Sequence, residues 1–310
     1  MEKMNILLTG GSGMVGSNLL NNKAIKTFQV HAPNSKELNL TNFEAVCDYV
    51  EEINPKIIIH AAGKVGGIQA NIKEPVRYFI DNLEMGRNIV LAARKFKIKK
   101  LINIGSCCLY PRNQNAPISE SLILKGELEP TNEGFALAKI ATARLCDYIR
   151  REDPSCQYKT IIPCGLYGEF DKFDPTDSHL MPAIIQKVHQ AKVNKLSKVE
   201  IWGDGQARRE LMYAADLAEA LLKAIQDFDK LPEYMNIGLG FDHTINEYYE
   251  AVAQVVGFEG EFIHDKSKPV GMNRKLLNID QQLNWGWSAK HNLISGIEKT
   301  YRYYLKNYIK

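Results

Sequence analysis

Short apolar runs alternate with amphipathic stretches through the first half of the chain. Residues 6–9, 56–60, 101–104 and 160–162 are dominated by Ile and Leu, and each reads as a buried strand. Between them lie helical patterns: one through Val15, Leu19 and Leu20, one over residues 74–96, and one rich in Ala and Leu over 135–151. Fully apolar strands separated by helices predict parallel pairing with crossover connections, an α/β doubly wound Rossmann sheet. The pattern changes after Tyr167-Gly168. Residues 170–178 are rich in Asp, Pro and aromatics and read as a loop. Shorter elements follow, including a strand at 199–202 and a helix at 216–228. The expected organisation is a dinucleotide-binding domain over 1–168, with a returning segment near 205–240, and a smaller α/β substrate lobe mainly over 169–310.

Composition narrows the class. The 310 residues are 45% hydrophobic and 24% charged, ordinary for a globular chain able to bury a sizeable core. A formal charge of +3 calls for neither nucleic acid nor a membrane surface. No apolar run has the length of a membrane span, and the start lacks the pattern of a cleavable signal. The six cysteines form no CxxC pair, so no metal site is expected; reduced thiols and a cytoplasmic location are.

The first strand runs into Gly10-Gly11-Ser12-Gly13-Met14-Val15-Gly16, a GxxGxxG spacing that opens the first helix. Glycines there permit a tight turn and close approach of backbone to a pyrophosphate, which the helix N-terminus attracts. After the second strand an NAD site usually carries an acidic residue for the ribose diol. Here Asn34, Ser35 and Lys36 precede the first acid, Glu37. Ser35 and Lys36 suit a 2′-phosphate, so NADP(H) is expected and NAD is the weaker candidate.

Three further segments carry chemistry: Gly105-Ser106-Cys107-Cys108, Phe135-Ala136-Leu137-Ala138-Lys139, and Pro163-Cys164-Gly165-Leu166-Tyr167-Gly168. Together they resemble the extended short-chain dehydrogenase/reductase superfamily. Residues 64–68 (Lys-Val-Gly-Gly-Ile), 129–133 (Glu-Pro-Thr-Asn-Glu), Ser178-His179, 201–205 (Ile-Trp-Gly-Asp-Gly) and Arg209-Glu210 extend the likeness over nearly the whole chain. In more detail the chain resembles the GDP-L-fucose synthase family, NADPH-dependent epimerase/reductases of a GDP-4-keto-6-deoxy sugar. The resemblance implies a GDP-linked deoxysugar substrate. It assigns Cys108 as base and His179 as acid for epimerisation, both with ordinary pKa values close enough to neutrality to be tuned. It assigns Ser106 to the ketone oxygen and Lys139 to the nicotinamide ribose. Cofactor contacts are expected at Gly10 to Gly16, Ser35, Lys36, Asn39, Leu40, Ala61, Ala62, Gly63, Lys139, Pro163, Gly165, Leu166 and His179. Lys187, Arg209 and Trp202 are expected at the nucleotide diphosphate. Taken alone, Trp202 reads equally as core, and Lys187 and Arg209 as surface ion pairs. Superfamily members usually dimerise through two helices each, so a homodimer is expected from the helices near 84–96 and 135–151.

The chain departs from the family at the tyrosine that protonates the alkoxide, where Phe135 stands. Phenylalanine has no proton to give, and a missing general acid costs on the order of 10²–10⁴ in rate. Three accounts compete: a change engineered to trap substrate, a natural homologue with another acid, and a protein that keeps epimerisation or binding without reduction. The intact remainder of the set favours the first. Gly165, Val270 and Ser12 are lesser departures. Gly165 lacks the usual Asn amide, Val270 replaces an acid, and Ser12 replaces an Arg that some members use for the 2′-phosphate. They leave room for a related GDP-4-keto-deoxysugar or a heptose. A sugar 4,6-dehydratase is disfavoured because Cys107-Cys108 occupies the place of its acidic pair. A rival of another class is a non-catalytic dinucleotide sensor.

Overall fold

The computed structural model describes residues 3–309 apart from 115–116, 175–177 and 269–270, so Val270 lies outside the described residues. The chain opens with β1 (Asn5–Thr9), α1 (Met14–Asn21), β2 (Gln29–His31), α2 (Phe43–Ile53) and β3 (Ile57–His60). It continues through α3 (Ile68–Lys73), α4 (Pro75–Lys95), β4 (Lys100–Ile104), α5 (Glu133–Glu152) and β5 (Gln157–Pro163). Next come β6 (Gly165–Tyr167), α6 (Leu180–Val193), β7 (Lys198–Trp202), β8 (Arg208–Arg209), β9 (Leu211–Tyr213) and α7 (Ala214–Gln226). The last elements are β10 (Tyr234–Ile237), β11 (His243–Thr244), α8 (Ile245–Val256), β12 (Glu261–Asp265), β13 (Arg274–Lys275), α9 (Asp280–Asn284) and α10 (Leu293–Tyr308).

Six strands form one parallel sheet in the order β10-β5-β4-β3-β1-β2. Its two faces follow the strand period. Ile6, Leu8, Ile57, Ile59, Ile102 and Ile104 pack with Leu217 and Leu221 of α7 on one side. Leu7, Ile58 and Leu101 pack with Val46, Val50, Ile89 and Val90 of α2 and α4 on the other. Both faces are buried, which is why these strands read as unbroken apolar runs. β1 and β3 are neighbours whose crossovers leave in opposite directions, and the crevice beyond their carboxyl ends is where such sheets bind ligands.

The helical pattern over 74–96 is one helix, α4, and a short separate helix, α3, precedes it. Pro75 takes the first position of α4, and Glu74 before it lies outside helical geometry, so α3 ends there. The expected helix over 216–228 begins earlier, at Ala214, and gives way to a 3₁₀ turn over Phe228–Lys230. A separate apolar cluster joins Tyr167, Phe173, Met181, Ile184 and Val188 to Tyr248, Val252 and Tyr304. It fixes α6, α8 and α10 beside the strand ends.

Candidate active site

At the first turn, Gly10 adopts φ +77°, and a Cβ on it would stand 2.6 Å from the Ala62 nitrogen. A Cβ on Gly16 would stand 2.3 Å from the Gly10 carbonyl oxygen. Only glycine at both positions lets β1, α1 and the residues after β3 meet this closely. Gly13 is the N-cap of α1 and brings no side-chain oxygen to the helix end, whose free N–H groups are left for an anion. Ser12 and Gly13 are exposed, and Met14 and Val15 partly so. Gly11 is buried against Ala32. Beyond β3, Ala61 donates to the Thr9 carbonyl at 3.1 Å, placing Ala62 and Gly63 along the same crevice.

Ser35, Lys36 and Asn39 are exposed. The Asn34 side chain shapes their turn by accepting from the Lys36 and Glu37 amides at 2.9 and 3.2 Å. Glu37, also exposed, accepts from the Asn34 backbone amide at 2.8 Å. Leu40 buries its side chain in the core, and its carbonyl accepts from Asn88 at 3.0 Å.

The reacting end is built where β4 stops. Ser106 caps a 3₁₀ turn over Cys107–Leu109 by accepting from the Cys108 amide at 3.2 Å. This sends the two cysteines to different surroundings: Cys107 is buried in the core, while Cys108 is partly open. The Cys108 sulfur accepts from the Asn132 amide at 3.2 Å and from the Lys275 ammonium at 3.8 Å. Hydrogen bonding from the Cys107 thiol and the Lys275 charge hold Cys108 well below the ordinary thiol range, against the effect of burial. Cys107 is pushed correspondingly up.

Lys139, on α5, is 7% exposed. Its ammonium donates to the Ile104 and Ala62 carbonyls at 3.1 and 3.4 Å, bridging the ends of β4 and β3. Burial pushes its pKa down to about 8. Phe135 lies one turn earlier, 9% exposed, with its ring centre 6.0 Å from that ammonium. The ring fills space beside the lysine and offers no proton.

His179 is the N-cap residue of α6. It is close enough for its charge to act on both Cys108 and Asp171. The sequence singles out Ser106, Cys108, Lys139 and His179; it does not single out Lys275 and Asn132, which touch Cys108, or Asp171, on which the His179 charge acts. Asn132 stands inside a matched phrase. Lys275 lies 167 positions from Cys108, and no spacing signals it. Its approach depends on Glu210, whose buried carboxylate accepts from Leu239, Gly240 and Leu277 at 2.6, 2.9 and 2.9 Å. Those bonds pin the chain just after β13 against β10.

The nucleotide-side residues separate into two groups. Arg209 on β8 donates to the Arg208 carbonyl at 2.8 Å, and its charge acts on Cys107 and Glu129, beside the reacting end. The Lys187 ammonium instead donates to the Glu200 carbonyl of β7. Trp202 is 47% exposed, with its indole on the Glu200 carboxylate at 3.1 Å, so it is not a core residue. Pro163, at the end of β5, is buried, and Leu166, in β6, is partly so. Gly165 has a steric reason for lacking the family's Asn: a Cβ there would stand 2.5 Å from Leu211 Cδ2 and 3.0 Å from the Glu210 carbonyl. No group of His, Cys, Asp or Glu able to hold a metal ion occurs among the described residues. No described helix is long and apolar enough to cross a membrane.

A Rossmann sheet with a glycine turn, a buried lysine and a serine at the end of the fourth strand defines a class of nicotinamide-dependent enzymes. The chain belongs to the NAD-dependent epimerase/dehydratase family, whose model matches residues 6–238, and within it to the GDP-L-fucose synthases. It is 51% identical to the GDP-L-colitose synthase of Yersinia pseudotuberculosis, over 97% of this chain and 98% of that one. It is 45% identical to the GDP-L-fucose synthase of Azorhizobium caulinodans, over 97% and 96%. Its fold matches the GDP-mannoheptose C4 reductase of Campylobacter jejuni with NADP bound, at TM-score 0.88 and 27% identity over 98% and 99%. It is an enzyme of the NAD(P)-dependent oxidoreductase/epimerase class.

Proposed function

We propose that this enzyme is an NADP(H)-dependent epimerase/reductase of a GDP-linked 4-keto-6-deoxy sugar, with a slow reductive half caused by Phe135. The observation that carries the proposal is the surroundings of Cys108: a thiol held down by the Cys107 hydrogen bond and the Lys275 charge, beside Ser106, with His179 within reach of its charge.

A 4-ketone acidifies the neighbouring C–H bonds. Cys108 removes such a proton as thiolate, and the electron pair moves onto the ketone oxygen, which the Ser106 hydroxyl holds. His179 returns a proton to the opposite face, inverting the carbon. Inversion on both sides of the ketone leads toward a fucose-like product, and a substrate without the 3-hydroxyl, as for colitose, needs one inversion only. When bound, the dinucleotide supplies the hydride that reduces the ketone. Lys139 holds its ribose and keeps a positive charge beside the oxygen. Ser106 alone is left to hydrogen-bond that oxygen, because Phe135 gives no proton.

The exposed Ser35–Lys36 turn, with the Glu37 carboxylate engaged by the Asn34 amide, supports NADP over NAD. Arg209 suits the diphosphate nearest the sugar, and Lys187 with Trp202 the outer part of the nucleotide. Exposed Val76 and Ile80 on α4 and Leu137 and Tyr148 on α5 support a homodimer through these helices.

The test supplies NADPH with GDP-4-keto-6-deoxymannose, its 3-deoxy analogue or a GDP-4-keto-heptose in deuterated water. We expect deuterium beside the ketone of one sugar by mass spectrometry, with slow NADPH oxidation. Phe135→Tyr raises that oxidation by roughly 10²–10⁴-fold and leaves exchange unchanged. Cofactor binding without exchange on any of these sugars overturns the reading in favour of a sensor. Exchange with no gain from Tyr overturns the role given to position 135.

A further inference from the structure

The loop from β6 to α6 holds a buried acid that the chemistry above does not use. Asp171 is 5% exposed. One carboxylate oxygen accepts from the Lys172 amide at 2.8 Å. The other, Oδ2, is enclosed and has no hydrogen-bond partner. An orphaned carboxylate oxygen costs stability, so it calls for a donor that arrives in the working state.

The loop is built to hold this oxygen in place. Phe170 takes φ +66°, in the left-handed region, just before Asp171. Its ring packs on Tyr303 of α10, with centroids 5.2 Å apart. Phe173 packs on Tyr304 and Tyr308, and the Tyr308 hydroxyl donates to the Asp171 carbonyl at 3.3 Å. Both sides of Asp171 are thus clamped to the C-terminal helix. Farther on, the Ser178 amide donates to the Asp174 carbonyl at 3.0 Å, and His179 caps α6 near enough for its charge to act on the Asp171 carboxylate.

We propose that Asp171 is a positioning residue: in the substrate-bound enzyme its free oxygen accepts the N–H of one His179 ring nitrogen, fixing the tautomer that leaves the other nitrogen facing the sugar. This rests on the epimerisation reading above and deepens it. The charged groups around the pair are Lys172 next to Asp171 and, across the site, Cys108 with Lys275. Burial raises the Asp171 pKa to about 6, with the His179 charge opposing that rise. The carboxylate is therefore ionised above that value and is lost as a partner below it.

The experiment compares the native enzyme with Asp171→Asn and His179→Gln. In the native enzyme, solvent deuterium exchange rises as pH increases through about 6. In Asp171→Asn the rate falls by on the order of tenfold or more, that limb disappears, and the ¹⁵N shifts of His179 report a changed tautomer mixture. NADPH affinity stays at the native value and reports that the variant is folded. Should Asp171→Asn not fold, the ¹³C carboxyl signal of Asp171 is followed in the folded proteins. His179→Gln then raises its midpoint, because a favourable charge has gone. An Asp171 midpoint unmoved by His179→Gln, or an unchanged His179 tautomer and pH limb in a folded Asp171→Asn, overturns the proposal. Absence of exchange in the native enzyme overturns the epimerisation reading instead, and the carbon titration still measures the coupling.

Discussion

Replacing Lys139 by Met should make the cofactor-free enzyme more stable at neutral pH while removing its ketone chemistry. Burial pushes the lysine pKa from 10.5 down to about 8. Below both values the lysine is charged in the folded and the unfolded state, and the full cost of burying that charge is present. With one pKa unit worth about 1.36 kcal/mol, the cost at pH 7 is about 3 kcal/mol. Between pH 8 and 10.5 the unfolded chain binds the extra proton, so this contribution to stability rises with pH. Lys139→Met removes the buried charge but also withdraws a donor from the Ile104 and Ala62 carbonyls, costing about 1–2 kcal/mol. The net gain at pH 7 is then about 1–2 kcal/mol. It should shrink by about 2 kcal/mol by pH 9.5, where the native lysine is already neutral when folded. Urea unfolding of both proteins at the two pH values measures this. A Met variant less stable at pH 7, or an advantage that does not shrink with pH, refutes the reasoning. Such a gain would mark Lys139 as a charge kept for function at the expense of stability.

Two more predictions concern the reacting thiol and the glycine turn. Cys108 should be alkylated by iodoacetamide at a pH well below the ordinary thiol range, and Lys275→Met should move that profile upward; a native profile at or above the usual thiol value counts against the role of Lys275. Gly16→Ala puts a methyl 2.3 Å from the Gly10 carbonyl and must shift the turn, so NADPH affinity by fluorescence titration should fall by roughly tenfold or more (~1.4 kcal/mol). Native affinity in that variant would mean that the turn tolerates a side chain.

The sheet was legible because its strands are buried on both faces and so read as unbroken runs of Ile and Leu. The glycine turn was legible because its steric needs fall on neighbouring residues: Gly10 and Gly16 meet within one strand-to-helix connection. Ser106 and Cys108 stand in the same short segment, and Lys139 recurs within one turn of Phe135. Helix ends were legible to within a residue or two: α4 begins at Pro75 as its pattern predicts, while α7 begins two residues before its expected start and gives way to a 3₁₀ turn at Phe228. Gly165 read as a lost amide, whereas packing of β6 on β9 sets a Cβ there tightly against Leu211 and the Glu210 carbonyl.

What the sequence alone determined is the kind of site: a pyrophosphate turn, a serine, a thiol, a lysine and a histidine in their order along the chain. Tertiary structure alone decided which charges meet at the thiol. Lys275 reaches Cys108 because β13 lies beside β8 and Glu210 gathers three backbone amides from the residues after β10 and after β13. The backbone around Asp171 is held by rings of a helix more than a hundred residues later. Periodicity reports which side of an element is buried. It carries no record of which distant element covers that side, and a group's pKa is set by that neighbour.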